Sequence, residues 1–390
     1  MLRVLTLSTL FPNALRPTLG VFVERQTLGL AARADVALEM VAPVGLPVWP
    51  LSHHPHYAPL RALPRKESWK GLKVHRPRYR VWPLTGARGT ARGMADALLP
   101  VLREIKRRFP FDVIDAEFFW PDGPAAVRLG EALGVPVSIK ARGSDVHLWG
   151  ERQGVAAQLV EAANGAAGLL AVSARLKADM AALGMPAHRI RVHHTGVDLD
   201  RFRPRDRAEA RQALGVPGPL LINVGALNGR KGQHLAIQAL AQIPDATLIL
   251  VGDGAERSNL ARLAQRLGLE SRVRLLGTRP HEDLPALLAA ADVAVQPSAD
   301  EGLANVWVEA LACGTPVVTT DVGGAREVVD SPEAGRLVPR DAEAIGVAVR
   351  DLLGSPPPTA AVRRVAEGFS WERNSAELFE HLSEIAARAA

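Results

Sequence analysis

Two carboxylates that stand eight residues apart are the most informative side chains of this 390-residue chain. Glu301 lies in a loop-like segment, and Glu309 lies inside the helix that is predicted to follow it. Eight helical residues span about 12 Å, which is the reach from a sugar across a diphosphate to a ribose. Each acid can accept hydrogen bonds from one set of hydroxyls, and the free N–H groups at the helix start can bind phosphate between them. The alternative is a surface helix with two incidental glutamates.

A glycine-rich loop is the second chemical feature. Gly225 ends a predicted strand, and Arg230 and Lys231 stand where the next predicted helix begins. Glycine permits close backbone approach, and two fixed cations suit a diphosphate. The spacing matches neither the P-loop nor the dinucleotide GxGxxG pattern, so the loop alone identifies no ligand.

These residues must be positioned by strand-like and helix-like segments, which alternate along the whole chain. That alternation is typical of parallel sheets covered on both faces. In the first half, strands are expected at 2–7, 36–42, 113–115, 135–140 and 168–172. In the second half, they are expected at 220–225, 247–251, 273–276, 293–296 and 316–319. The sequence therefore predicts an α/β protein with two Rossmann-like, doubly wound parallel sheets facing a cleft, and ligands at the carboxyl ends of the strands.

Breaks in this alternation predict where the domains end. A charged, irregular stretch at 198–219 separates the two series, and a Gly-Ser-Pro-Pro-Pro run at 354–358 precedes a terminal helix. We expect a first domain at 1–197, a second at 198–365 and a C-terminal helical segment at 366–390.

Composition narrows the class of protein. Hydrophobic residues make up 47% and charged residues 23% of the chain, as in ordinary globular proteins. Cys313 is the only cysteine, which rules out an intrachain disulfide or a thiolate metal cage. The His53-His54-Pro55-His56 run is broken by proline and has no nearby acids, so no metal site is expected. With neither a signal-peptide pattern nor an apolar run long enough to span a bilayer, we expect a cytoplasmic protein.

Residues 44–93 form a basic region. They contain ten Lys or Arg residues against one acid, Glu67, together with seven prolines and three tryptophans. Prolines at this density predict an irregular, exposed excursion. Trp49, Trp69 and Trp82 among basic residues favour an anionic membrane surface or an anionic acceptor. A solvated basic loop with its tryptophans tucked beneath is the equal alternative, and nucleic acid is disfavoured because no binding motif accompanies the charge.

Taken together, the motifs have a recognisable order. The loop at 223–232 is followed by Val-Gly-Asp-Gly at 251–254 and by PSADEGLANVWVEALACGTPVV at 297–318. This order resembles family 4 of the retaining glycosyltransferases, which have the GT-B fold. The similarity is dense over 165–340, and Gly20-Val21-Phe22 and Arg142-Gly143-Ser144-Asp145 extend it into the first half.

The resemblance implies roles for particular residues. Glu301 would hold hydroxyls of the donor sugar and Glu309 the ribose of the nucleotide, while Lys231 and Arg230 would neutralise the diphosphate. Further residues would bind or approach the donor through their backbone: Gly20, Gly225, Gly302, Leu303, Ala304 and Asn305. Arg142 would face the reacting sugar. The donor would be a UDP- or GDP-linked sugar bound by the second domain without a metal or other cofactor, the first domain would lie on the acceptor side, and the C-terminal helix would cross back to it.

Three departures from the family pattern leave the sugar and acceptor open. Ala226 stands where arginine is common, and Arg142 stands where histidine is frequent. A His-x-His pattern is replaced by Asp115-Ala116-Glu117.

The sequence thus predicts a retaining glycosyltransferase that acts on a bacterial glycan or a lipid-linked acceptor. Its place would be the cytoplasm, with peripheral contact to the anionic inner membrane face through residues 44–93. A nucleotide-sugar epimerase on the same architecture and a non-catalytic nucleotide-sugar-binding component of a polysaccharide assembly complex are the alternatives. The base, the linkage and the oligomeric state are not encoded in recognisable motifs.

Overall fold

The computed structural model describes residues 1–55, 57–81 and 89–389. The chain forms two compact units, one made of Met1–Thr195 with Trp371–Ala390 and the other of Gly196–Ser370. Both are α/β units built on parallel sheets, which confirms the predicted fold class.

The first unit is built on an eight-stranded sheet in the order β10-β9-β8-β7-β1-β2-β5-β4. All neighbouring pairs are parallel except β4 with β5. Its strands are β1 Leu2–Leu7, β2 Val36–Val41, β3 Val44–Pro47, β4 Lys66–Trp69, β5 Leu72–His75, β6 Arg78–Val81, β7 Val113–Ala116, β8 Val137–Ala141, β9 Gly168–Ala171 and β10 Ile190–Val192, of which β3 and β6 form a separate parallel pair. Its first seven helices are α1 Val21–Ala31, α2 Ala58–Ala62, α3 Thr90–Arg108, α4 Asp122–Leu133, α5 Ser144–Gly150, α6 Ala156–Gly165 and α7 Ala174–Ala182.

The second unit is built on a six-stranded, wholly parallel sheet in the order β13-β12-β11-β14-β15-β16. Its strands are β11 Leu220–Val224, β12 Thr247–Val251, β13 Val273–Gly277, β14 Val293–Gln296, β15 Val317–Thr320 and β16 Gly335–Val338. Its helices are α8 Arg207–Leu214, α9 Gln233–Leu240, α10 Arg257–Arg266, α11 Leu284–Ala290, α12 Asn305–Ala312, α13 Ala325–Val328, α14 Ala342–Gly354 and α15 Thr359–Glu367. The strand order reverses between β11 and β14, so their carboxyl ends are the expected place for a ligand.

The last helix, α16 Trp371–Ala389, belongs to the first unit. Leu378, Leu382 and Ile385 on this helix are buried in one cluster with Val4 of β1 and Val113 of β7. Burial of such side chains contributes roughly 1.5–3 kcal/mol each, so the apolar face of α16 is part of the core of this unit.

The basic region 44–93 is more regular than the sequence predicts. β4 and β5 extend the main sheet, β3 pairs with β6, and α2 lies among them. Prolines do not prevent this because they fall at the ends of elements: Pro47 is the last residue of β3 and Pro59 lies in the first turn of α2. Trp69 is half-buried and donates to Glu24, Trp49 is 77% exposed, and Trp82 lies outside the described residues.

Glu39 on β2 forms the most extensive ion-pair cluster of this sheet. Its carboxylate accepts from Arg108 at 2.6 and 2.8 Å, from His75 at 2.8 Å and from Lys73 at 3.1 Å. Burial alone would raise the pKa of Glu39, but these hydrogen bonds outweigh it and lower the pKa to about 2. The charged form of Glu39 therefore stabilises the first unit.

Candidate active site

In the second unit, two loops meet at the point where the strand order reverses. Gly232 ends the short helical turn Gly229–Lys231 after β11, with a φ of +71°. A Cβ at Gly232 would overlap the carbonyl of Pro297 in the loop after β14, and Ala299 N–H donates to the Arg230 carbonyl at 2.7 Å. Only glycine allows this close approach. The contact brings the side chains of both loops together.

Lys231 and Glu301 form an ion pair across these two loops. The Ser298 hydroxyl donates to the same Glu301 oxygen at 2.8 Å. The Asn228 side chain caps the turn that carries Lys231, because its oxygen accepts from the Lys231 N–H at 3.2 Å. The Glu301 side chain is 13% exposed and Lys231 29%, so both charges lie in a partly desolvated position.

Two arginines surround this pair in different ways. Arg230 forms an ion pair with Asp300, but its side chain is 48% exposed. Arg340 donates to the Pro297 carbonyl at 3.2 Å and to the Gly229 carbonyl at 2.9 Å, and thus ties the two loops together. Sequence reasoning missed Arg340. It lies just after β16, at the carboxyl edge of the same sheet, and this position is evident only once the order of the strands is known.

The helix that follows Glu301 begins later than its spacing to Glu309 implies. α12 starts at Asn305, and the preceding residues Gly302, Leu303 and Ala304 are not helical. The estimate of 12 Å from eight helical residues is therefore wrong, because only the last four steps are helical. Ala304 at the N-cap has no side-chain acceptor, so the N–H groups of the first turn remain suited to an anion.

A third loop supports the segment before α12. Gly323 has a φ of +51°, and a Cβ there would overlap the carbonyls of Glu301 and Gly302. The next residue, Gly324, donates its N–H to the Gly302 carbonyl at 2.8 Å. The backbone around Glu301, in the loop after β14, is therefore held by the loops after β11 and β15.

Glu309 is buried, at 8% exposure, and has a partner that sequence reasoning did not single out. His281, in the loop after β13, lies with Nε2 2.8 Å from Glu309 Oε1. The His281 and Phe202 rings pack in a T-shaped arrangement, with centroids 5.2 Å apart. The Glu309 carboxylate is thus oriented by a histidine whose ring is itself held by packing.

Cys313 lies close to this carboxylate. Burial, followed by the nearby Glu309 charge, raises the pKa of Cys313 to about 12, which makes this thiol an inert core group.

A glycine loop and a charged cluster occupy the carboxyl ends of β1, β7 and β8 in the first unit. Gly20, at the start of α1, has a φ of +64°, and a Cβ there would overlap the Leu10 carbonyl. Arg142, after β8, forms an ion pair with the buried Glu117 and lies 4.9 Å above the Phe22 ring. No hydrogen-bond partner for its buried Nη1 occurs among the described residues.

Buried groups behind Arg142 fix its orientation. Lys140 Nζ donates to Gln26 Oε1 at 2.6 Å and lies 2.8 Å from His193 Nδ1. Burial lowers the pKa of Lys140 well below its usual value. For Glu117, burial acts to raise the pKa, but the Arg142 and Lys140 charges outweigh it and lower the pKa. Lys140 was not identified from the sequence, whereas Gln26 ends the Gly20-Val21-Phe22-Val23-x-x-Gln26 motif that carries part of the family resemblance.

Two other polar residues of this segment have structural partners. Asp145 accepts backbone N–H bonds from Arg142 at 2.9 Å, Gly143 at 2.7 Å and Phe119 at 2.7 Å, so it shapes the loop. His147 Nε2 lies 3.0 Å from Asp179. The Asp145 carboxylate therefore stabilises the backbone of the loop that carries Arg142.

The described ranges contain no cluster of three or more His, Cys, Asp or Glu side chains arranged to hold an ion. His53 contacts Arg61, whereas His56 lies outside the described residues. None of the helices formed by the described residues is long and apolar enough to cross a bilayer.

Both units match models of known protein families. Residues 205–367 match the family model described as glycosyl transferases group 1, and residues 49–201 match that described as glycosyltransferase family 4. A Bacillus subtilis protein named for teichuronic acid biosynthesis, glycosyltransferase TuaC, is 29% identical over 367 residues, which are 89% of this chain and 88% of that protein.

Solved structures share the fold. The sucrose-phosphate synthase of Thermosynechococcus elongatus superposes with a TM-score of 0.82 at 24% identity, covering 100% of both chains. HepE of Anabaena, solved in complex with UDP-glucose, superposes with a TM-score of 0.72 at 24% identity, covering 98% of this chain and 100% of that chain.

The two doubly wound units share the GT-B fold of these solved structures, and the two family models show that the chain is a glycosyltransferase. The two matched ranges together span most of the chain. The chain belongs to the family 4 glycosyltransferases.

Proposed function

We propose that this glycosyltransferase retains the anomeric configuration of a sugar that it moves from a UDP- or GDP-linked donor to a bacterial glycan or lipid-linked acceptor. The observation that carries this proposal is the Lys231–Glu301 ion pair beside the uncapped start of α12. It combines a cation for phosphate, a carboxylate for hydroxyls and backbone N–H groups for a further phosphate. The solved complex of HepE with UDP-glucose supports this choice of donor, and the similarity to TuaC, which is named for teichuronic acid biosynthesis, supports a glycan product.

Each group of the second unit has a task in binding the donor. Glu301 accepts hydrogen bonds from sugar hydroxyls, and Glu309, oriented by His281, accepts from the ribose hydroxyls. The N–H groups of Gly302 to Asn305 bind the distal phosphate. Lys231 bonds the diphosphate, and Arg230 adds positive charge at the exposed side. Gly225 keeps the strand end free of a side chain.

The chemistry follows from where charge develops. When the bond between the anomeric carbon and the phosphate oxygen breaks, its electron pair goes to the diphosphate and the sugar becomes oxocarbenium-like. Lys231 and the helix-start N–H groups stabilise the departing diphosphate. The acceptor oxygen then bonds the anomeric carbon on the same face, and its proton passes to the departing phosphate oxygen. Arg142 and Gly20 of the first unit are assigned to the side of the reacting sugar.

The positive charge of Lys231 and the helix start replaces that of a metal in this scheme. We therefore expect transfer to continue at an unchanged rate after dialysis against EDTA. A rate that falls with EDTA and returns with Mg²⁺ would contradict this expectation.

A panel of UDP-, GDP- and ADP-linked sugars tests the proposal directly. Calorimetric titration of the full chain should show saturable binding of at least one UDP- or GDP-linked sugar, and Glu301→Gln should weaken it. Transfer to a glycan acceptor, followed by NMR of the new linkage, should show the anomeric configuration of the donor. Absence of binding to every sugar nucleotide would refute the proposal. Release of an isomerised sugar without an acceptor would indicate an epimerase.

A further inference from the structure

A groove in the basic region is lined, among the described residues, by none of those assigned to the donor or the reacting sugar. It is enclosed by β3, β6, the residues after β3 and the start of α3, and it has a volume of about 920 Å³. Leu46, Pro47 and Tyr79 supply apolar walls, of which Pro47 and Tyr79 are buried. Burial raises the pKa of Tyr79, so its hydroxyl stays protonated at neutral pH. The groove is large enough for a small ligand.

The charge in this groove is positive. Among the described residues, Arg61, Arg78 and Arg80 line it together with a single acid, Asp96. Arg78 donates to backbone carbonyls, including that of Arg76 at 2.5 Å, and these bonds leave its charge uncompensated. Within the described ranges, no ion pair links any of the three arginines to a carboxylate. Arginines placed in this way favour a phosphate, which each can bind through two N–H groups.

An apolar edge adjoins the arginines. Trp49, whose side chain is 77% exposed, lines the groove, and Leu51, at 48% exposure, follows two residues later. Large apolar side chains at the surface are informative when they lie together with polar recognition groups. A tryptophan beside arginines suits a ligand that is anionic at one end and apolar at the other.

We propose that this groove, named here the 46–97 groove, binds the diphosphate and the first part of the lipid chain of a lipid-linked acceptor. Arg61 and Arg80 contact the diphosphate, and Arg78 adds positive charge to the groove. Trp49 and the apolar walls contact the lipid chain. The inference rests on the proposed function, because it assigns the acceptor of the same reaction to a site of its own. It also replaces general attraction to an anionic membrane by a defined ligand.

Three probes separate the two halves of this ligand. Farnesyl diphosphate carries both the charge and the chain, inorganic pyrophosphate only the charge, and farnesol only the chain. Calorimetric titration of the full-length protein should show saturable binding of farnesyl diphosphate and at least tenfold weaker binding of the other two. Equal affinity for pyrophosphate and farnesyl diphosphate would overturn the proposal, since an ordinary anion site needs no chain.

Matched variants locate the binding. Arg61→Ser with Arg80→Ser should weaken farnesyl diphosphate binding by at least tenfold, since each arginine provides charge-assisted hydrogen bonds. The control, Arg103→Ser with Arg107→Ser, removes the same charge from exposed positions further along α3 and should leave the affinity within twofold. Equal losses in both pairs would reduce the effect to net charge and refute the site. Unchanged melting temperatures show that the variants fold.

A diphosphate could also enter the donor site, so competition is part of the test. Binding that an excess of UDP displaces, or that Lys231→Met abolishes, would place farnesyl diphosphate at the donor site and overturn the inference. Nucleotide-sugar binding is measured on the same samples. If sugar nucleotides bind but farnesyl diphosphate does not, the inference fails while the proposed function stands. If only farnesyl diphosphate binds, the proposed function fails and the groove keeps its ligand.

Discussion

Replacing Lys231 by methionine removes one ammonium group and keeps most of the side-chain volume. Glu301 is 13% exposed and then retains the Ser298 hydroxyl, at 2.8 Å, as its side-chain partner. When a largely buried carboxylate loses a charged donor, the protein loses about 1–3 kcal/mol of stability. We therefore expect Lys231→Met to lower the free energy of unfolding of the second unit by this amount, with no change in the first unit.

The effect on the donor should be larger than the effect on stability. A hydrogen bond from a charged group to phosphate contributes roughly 1.5–3 kcal/mol, which corresponds to about 10–150-fold in the dissociation constant of the sugar nucleotide. Turnover should fall further, on the order of 10²–10³-fold, because the charge on the leaving diphosphate develops in the transition state.

A matched lysine provides the control. Lys66 pairs with Glu104 at 3.4 Å, and the two side chains are 62% and 57% exposed. Exposed pairs of this kind contribute about 0–1 kcal/mol, so Lys66→Met should leave both stability and sugar-nucleotide affinity nearly unchanged. Calorimetry gives the dissociation constants, release of nucleoside diphosphate gives turnover, and urea unfolding gives stability.

The double variant Lys231→Met, Glu301→Gln separates the ion pair from the chemistry. It leaves no unpaired carboxylate, so it should be more stable than Lys231→Met alone, while turnover stays low. The reasoning fails if Lys231→Met binds the donor within twofold of the original protein and turns over at the same rate.

Three further changes test other parts of the structure. His281→Gln should raise the donor KM about tenfold with little change in kcat, because it loosens Glu309, which binds ground and transition states alike; steady-state kinetics checks this. Gly232→Ala should cost more than about 1–2 kcal/mol, measured by urea unfolding, while Gly229→Ala, with open space at its Cβ, should cost much less. Glu39→Gln should cost up to about 3 kcal/mol at pH 7; because the folded-state pKa is lowered from 4.5 to about 2, this difference should be lost as the pH falls through that range.

The alternation of elements could be predicted because strands buried on both faces appear as apolar runs in the sequence. The basic region shows the limit of that approach. Composition there predicts an irregular excursion, yet the region forms four strands and a short helix. Proline density gives the wrong result because position matters more than number: Pro47 ends β3 and Pro59 lies in the first turn of α2, where proline costs no hydrogen bond.

Residue type and spacing indicated Lys231 and Glu301, and the structure places the two in direct contact. The same reasoning could not find His281 or Arg340. Each comes from a loop after a different strand, and only the order of strands in the sheet brings those loops to one edge. Glu117 shows a related limit. In the sequence it marked a departure from the family pattern, whereas in the fold it is the buried partner of Arg142.

Three glycines explain how loops distant in sequence hold this arrangement. A Cβ at Gly232, Gly252 or Gly323 would overlap a backbone carbonyl of a neighbouring loop, at Pro297, Gly225 or Glu301 respectively. Because backbone lies directly on backbone, the loops cannot slide without breaking several contacts at once. The backbone that carries the Lys231 cation and the Glu301 carboxylate is therefore preorganised, and under the proposed function little reorganisation is needed as charge develops on the leaving diphosphate. Substitutions at these glycines should consequently impair turnover more than they impair folding.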